Sequence, residues 1–116
     1  MIIYKEFSFD SAHKLINDNG ECANLHGHTY ILRIYLKGPV DSKTGYVFDF
    51  KELRMIIKKN VLDVIDHQYL NDFVENPSVE NMCVWIWDHL KETLPLLYKI
   101  RLCENPTNCG IYSGEE

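Results

Sequence analysis

Between Gly27 and Lys37 the chain alternates with period two: His28, Tyr30, Leu32, Ile34 and Leu36 share one parity, and Thr29, Ile31, Arg33, Tyr35 and Lys37 the other. Such alternation is the pattern of a strand with one face against a core, and no helix satisfies it. The core-facing side is apolar throughout except at its first member, His28. A second run, Ile2 to His13, puts Phe7, Phe9, Ser11 and His13 on one parity. It predicts a partner strand that also ends on an imidazole.

The remaining elements follow from caps and breakers. Residues Asn17 to Asn24 form a first loop, Gly38-Pro39 ends the second strand, and Gly45 marks a further turn. Asp49 caps a helix whose apolar positions Leu53, Ile56, Ile57, Val61, Val64 and Ile65 recur at three and four, stopping near Asp66-His67. After a loop from Asn71 to Pro77, Ser78 caps a second helix with Glu80 in its first turn. Its inward residues are Val79, Met82, Cys83, Ile86 and Leu90, and Pro95 ends it. A third strand runs from about Leu97 to Glu104, and a short fourth lies around Ile111 and Tyr112. The order β-β-α-α-β-β predicts an α+β fold: an antiparallel four-stranded sheet with two helices on one face. Its other face and its open edges predict association with further copies.

A chain of 116 residues, 46% hydrophobic and with scattered charges, fits one domain over 1–116. The net charge of −5 excludes a nucleic-acid binder that relies on a basic surface. No stretch has the ~20 apolar residues of a membrane span, and Met-Ile-Ile-Tyr-Lys-Glu lacks the marks of a signal peptide, so a cytoplasmic protein is expected. In that compartment Cys22, Cys83, Cys103 and Cys109 should be reduced thiols, with Cys83 and Cys103 serving as small core residues. Asn76-Pro77-Ser78 and Asn105-Pro106-Thr107 resemble glycosylation sequons, but the central prolines rule both out.

His26 and His28 stand at i and i+2 of the second strand, about 6.6 Å apart along the backbone and on the same face. His13 is the best-placed third imidazole, ahead of His67 and His89. Three neutral imidazoles suit zinc and leave its fourth position for water or substrate. Cys22, four residues before His26, adds a thiol beside them. Asp66-His67 adds a carboxylate that can orient an imidazole, which in turn can activate a thiol. Adjacent Asp-His residues at a helix end are more often caps, and Glu104 by itself reads as a solvated turn residue.

Six ordered stretches change the weight of those readings: FDSAH ending at His13, CANLHGH from Cys22, GYVFDF around Asp49, DHQYLN from Asp66, NPSVEN from Asn76, and Glu104-Asn105-Pro106-Thr107. Together they resemble the 6-pyruvoyl-tetrahydropterin synthase family over nearly the whole chain. The four-residue step from Cys22 to His26 is similar to the carboxy-forming branch, which serves the queuosine and archaeosine pathways.

The resemblance implies Zn2+ on His13, His26 and His28, catalytic Cys22, His67 and Asp66, and Glu104 as the carboxylate that anchors a pterin ring. It implies a lyase acting on 7,8-dihydroneopterin triphosphate, giving 6-carboxy-5,6,7,8-tetrahydropterin, acetaldehyde and triphosphate. Lys14 and Arg33 are then candidates for phosphate contact. It also implies the tunnelling fold, whose subunits join their sheets into a barrel, commonly a homohexamer of two stacked trimers with sites at subunit interfaces. A pyruvoyl-forming synthase, an aldolase-like variant and a non-catalytic metal- or pterin-binding module are the alternatives. Tyr46, Phe48, Ser78 and Asn105 depart from the usual pattern, and only Asn105 touches the implied pocket.

Overall fold

The structure is a computed structural model that describes residues 1–115. Strand β1 (Ile2–His13) pairs antiparallel with β2 (His26–Lys37) along their whole length, from Ile2↔Lys37 to His13↔His26. Helix α1 (Phe50–Ile57) passes through a π turn (Lys58–Leu62) into the short α2 (Asp63–Ile65). Then come β3 (Gln68–Tyr69), α3 (Val79–Leu90), β4 (Leu97–Asn105) and β5 (Asn108–Tyr112). Among the described residues no helix is long and apolar enough to cross a membrane.

The expected caps form. The Asp49 side chain accepts the Lys51 N–H at 2.8 Å, and the Ser78 hydroxyl accepts the Asn81 N–H at 3.1 Å. Each satisfies a donor that the first turn leaves without an intrahelical partner. At the π turn the Asn60 side-chain amide donates to the Ile56 carbonyl at 2.8 Å.

The two long helical segments cover one sheet face. Tyr30, Leu32, Ile34 and Leu36 of β2 are fully buried against Leu53, Ile57, Val61 and Ile65 on one side and Met82, Ile86 and Leu90 on the other. Each such aliphatic side chain contributes about 1.5–3 kcal/mol of burial. Phe9 stacks on Tyr30 with ring centroids 4.9 Å apart, which closes the core beneath the β1–β2 end that carries the imidazoles. The opposite face stays open, with Tyr4 49% exposed and lying 5.2 Å from Tyr35, ring to ring.

Two expectations are corrected. The sheet is mixed and five-stranded, in the order β3-β1-β2-β4-β5, not antiparallel and four-stranded. The additional strand, β3, pairs parallel with β1 through Ser11↔Gln68 and Ala12↔Tyr69. At two residues it is too short to show alternation, and it exists because the helix before it delivers the chain to the β1 edge. Cys103 and Cys109, moreover, are not free thiols: they face each other across the β4–β5 hairpin, with Cα atoms 4.0 Å apart, and form a disulfide. Cys83 is free and buried as expected, and burial pushes its thiol up to about 12.

That disulfide clamps the turn adjoining Glu104. Cys109→Ser is expected to cost about 2 kcal/mol, the chain-entropy value for closing so short a loop. Urea unfolding of both proteins without reductant measures it, and coincident midpoints would exclude a stabilising bridge.

Candidate metal centre

The β1–β2 register makes His13 and His26 direct partners and sets His28 opposite Ser11, so three imidazoles meet at one end of the sheet. Each offers one ring nitrogen, and these nitrogens lie within 4.8 Å of one another. His13 is fully buried, while His26 and His28 are partly so.

The protons of two rings follow from their partners. His13 Nδ1 lies 2.7 Å from the Pro77 carbonyl, and His26 Nδ1 2.7 Å from the Asn24 carbonyl. A carbonyl can only accept, so both Nδ1 atoms carry the hydrogen and both Nε2 atoms of the neutral rings present lone pairs. Yet those Nε2 atoms are only 3.0 Å apart. Two lone pairs at that distance repel unless a cation lies between them.

On the His13 side a proton is disfavoured in that role. Burial holds the His13 imidazole below its ordinary value of 6.5, against an opposing pull from the Pro77 carbonyl, and the charge of His26 lowers it further. Burial also holds His28 down, against the pull of Glu104. The donor set therefore fits a divalent metal ion, with the Pro77 and Asn24 carbonyls fixing the ligating tautomers from behind.

Glu104 belongs to this cluster. Its Oε2 stands 3.3 Å from His28 Nε2 and 3.8 Å from His13 Nε2. His28 Nε2 is nonetheless buried without a hydrogen bond, so its approach to Glu104 is proximity without donation. Local sequence reads Glu104 as solvated. The β2–β4 ladder overrides that by bringing the end of β4 beside β2.

Asp66 and His67 form a separate pair. His67 follows the end of α2 with φ 60°, a left-handed conformation that costs a side-chain-bearing residue about 1–2 kcal/mol. Its N–H donates to the Asp10 carbonyl at 2.6 Å, which holds it there. The ring is exposed, and its Nδ1 lies 2.9 Å from Asp66 Oδ1, an oxygen that also accepts the Asp10 N–H at 3.0 Å. Asp66 thus lies on the Nδ1 side of the ring, and the exposed ring leaves Nε2 toward the groove side. A groove of about 570 Å³ runs from His67 along Asp10, Ser11 and Thr29 to His28.

Cys22 sits on an exposed 3-10 turn, Glu21–Ala23. Among the described residues no hydrogen bond joins it to Asp66 or His67. Its loop is nonetheless pinned: the Leu15 N–H donates to the Cys22 carbonyl at 2.8 Å. Asn71 exchanges two hydrogen bonds with the Lys14 backbone, at 2.8 and 3.0 Å, and the Asn76 side chain accepts the Ile16 N–H at 3.1 Å. These positioning roles of Asn71, Asn76 and Pro77 were missed in the sequence, although all three lie in its motifs. Arg33 stands on the parity opposite His28, toward the open sheet face, and pairs with Glu6 at 2.8 Å.

Comparison with known proteins adds a second line of argument. A family model described as 6-pyruvoyl tetrahydropterin synthase matches residues 2–115. A 6-carboxy-5,6,7,8-tetrahydropterin synthase from Synechocystis is 38% identical over 96% of this chain and 92% of its own. A 6-pyruvoyl tetrahydrobiopterin synthase from Dictyostelium discoideum is 34% identical over 99% of this chain and 97% of its own. Among solved structures, the 6-pyruvoyl tetrahydropterin synthase of Caenorhabditis elegans superposes with a TM-score of 0.91 at 30% identity, covering 99% of this chain and 96% of that one.

Proposed function

Because the chain belongs to the 6-pyruvoyl tetrahydropterin synthase family, we propose that it is a zinc-dependent lyase of the carboxy-forming branch. It would convert 7,8-dihydroneopterin triphosphate to 6-carboxy-5,6,7,8-tetrahydropterin with release of acetaldehyde and triphosphate, acting as a homohexamer. The observation that carries the reading is the convergence of three imidazole nitrogens within 4.8 Å beside a single carboxylate. The four-residue Cys22-to-His26 step and the similarity to the Synechocystis synthase support the branch.

His13, His26 and His28 would hold Zn2+, which when bound supplies Lewis acidity toward the two side-chain hydroxyls of the substrate. Glu104 accepts from the N–H and amino groups of the pterin ring and sets its orientation. Cys22, as thiolate, takes the side-chain proton, and His67 relays it through the nitrogen that Asp66 leaves free. Since one subunit does not join Cys22 to His67, the relay is completed where a neighbouring subunit packs against the open sheet edge.

A pyruvoyl-forming synthase is the second reading, favoured by the similarity to the Dictyostelium protein over nearly its whole length. Incubation of purified protein with 7,8-dihydroneopterin triphosphate separates the two. Acetaldehyde with a carboxypterin is expected; a pyruvoyl product without acetaldehyde would move the protein to the other branch, and no consumption of substrate would reject both.

A further inference from the structure

One contact in the centre is unexplained by a ring anchor alone: Glu104 turns its carboxylate toward the imidazole nitrogens. In a tetrahedral site with bonds of about 2.0–2.1 Å, neighbouring donor atoms stand about 3.3 Å apart. Three of the six donor separations approach that size: 3.0 Å for His13 to His26, 3.3 Å for His28 to Glu104 and 3.8 Å for His13 to Glu104, whereas Glu104 stands farther from His26, so the carboxylate must swing toward that ring to close the centre. His28 Nε2 is buried and without a hydrogen bond, although an acceptor oxygen is beside it, which is the state of a nitrogen whose partner is a cation.

We propose that Glu104 is the fourth protein ligand of the metal centre while no pterin is bound, and that an arriving pterin ring draws the carboxylate away and opens that position to the substrate's side-chain oxygens. The inference rests on the metal assignment proposed above. It follows from one carboxylate facing two demands. On its other side Glu104 lines a polar cavity of about 420 Å³ with Glu80, Thr107 and Asn108, so its side chain has space to leave the imidazoles without movement of β4. The backbone there is held by the β2–β4 ladder and the Cys103–Cys109 bridge, which confines the motion to the side chain.

A centre closed by four protein ligands has no position for water or substrate, whereas a three-ligand centre does. Ring binding thereby becomes the condition for an open metal. Linkage makes the coupling reciprocal: a pterin that takes Glu104 weakens the metal, and the metal weakens the pterin by the same factor.

The test uses the cobalt(II)-substituted full chain and a side-chain-free 7,8-dihydropterin, which offers the ring donors but no hydroxyls. Its visible absorption is expected to change when this pterin is added, and Glu104→Gln and Glu104→Ala proteins should start from an altered spectrum and not respond. Loss of a ligand should cost Glu104→Ala at least ~10-fold in Zn2+ affinity, read by competition with a chromophoric chelator. The metal-free wild-type protein should bind dihydropterin more tightly than the zinc-loaded protein, whereas a pure ring anchor would show equal affinities.

A Glu104→Ala cobalt spectrum identical to wild type, with unchanged Zn2+ affinity, would overturn the proposal. His28→Ala, measured in parallel, keeps the two readings apart. If it loses cobalt while Glu104→Ala is silent, only the fourth ligand is rejected; if it too keeps full cobalt, the metal centre itself is wrong.

Discussion

Cys22→Ala protein is expected to keep its zinc and to bind a pterin, while turnover on 7,8-dihydroneopterin triphosphate falls by about 10²–10⁴-fold, the usual loss when a positioned proton-transfer group is removed. The reason lies in where Cys22 stands. Its 3-10 turn is exposed, and neither the imidazole cluster nor Glu104 depends on it for hydrogen bonding or burial. The loop is held by main-chain and asparagine contacts, chiefly Leu15 to Cys22 and Lys14 to Asn71, none of which uses the thiol. Removing Sγ should therefore leave the fold, the metal and the ring site intact and raise only the barrier to proton removal, by about 3–5 kcal/mol. Metal analysis, pterin titration and steady-state kinetics on one preparation give the answer. Loss of zinc in Cys22→Ala would make the thiol a structural ligand, and an undiminished rate would make it a bystander.

The second large effect is expected from His28→Ala, which should lower zinc affinity by well over the ~10–100-fold lost when only a group supporting a ligand is removed. His28 suits the test better than His13. His13 is fully buried and holds the Pro77 carbonyl through Nδ1, so its truncation would leave a cavity and an unpaired acceptor and confuse metal loss with unfolding. His28 makes no hydrogen bond through Nε2 that the fold would miss. Elemental analysis after gel filtration, with thermal unfolding as the fold control, gives the result; a full zinc complement would reject the three-histidine assignment.

The same site gives a pH expectation for metal-free protein. Burial lowers His13 and His28 below the ordinary value of 6.5 in the folded state, so as pH falls through 6.5 the unfolded chain takes up protons that the folded chain does not. Stability is unaffected above that range and declines below it. Bound zinc opposes the decline by stabilising the folded, deprotonated site until protons displace it.

Much of this was legible in the chain. Alternation in β1 and β2 defines their buried faces residue by residue, because parity is a property of the strand itself. Asp49 and Ser78 announce their helices, because a cap is satisfied within three residues of its own position. Parity also put His26 and His28 on one face, and the identical parity of Phe7, Phe9 and His13 pointed to the third imidazole. The groups that needed a partner far along the chain were not legible in the residues around them. Glu104 looks solvated in its own turn, and Asn76-Pro77 looks like a failed sequon, although the Pro77 carbonyl orients His13 from 64 residues away.

By itself, then, the sequence determined the local periods, the helix starts and the face on which each candidate ligand lies, since these depend on covalent geometry and near neighbours. The tertiary structure alone decided that Gln68–Tyr69 becomes a fifth strand beside β1, that Cys103 and Cys109 meet as a disulfide and not as thiols, and that Glu104 closes on the imidazoles. The strand and the Glu104 approach are pairings across distant parts of the chain, selected by the burial and the backbone hydrogen bonds of the whole sheet, while the disulfide depends on the hairpin register that sets Cys103 directly opposite Cys109.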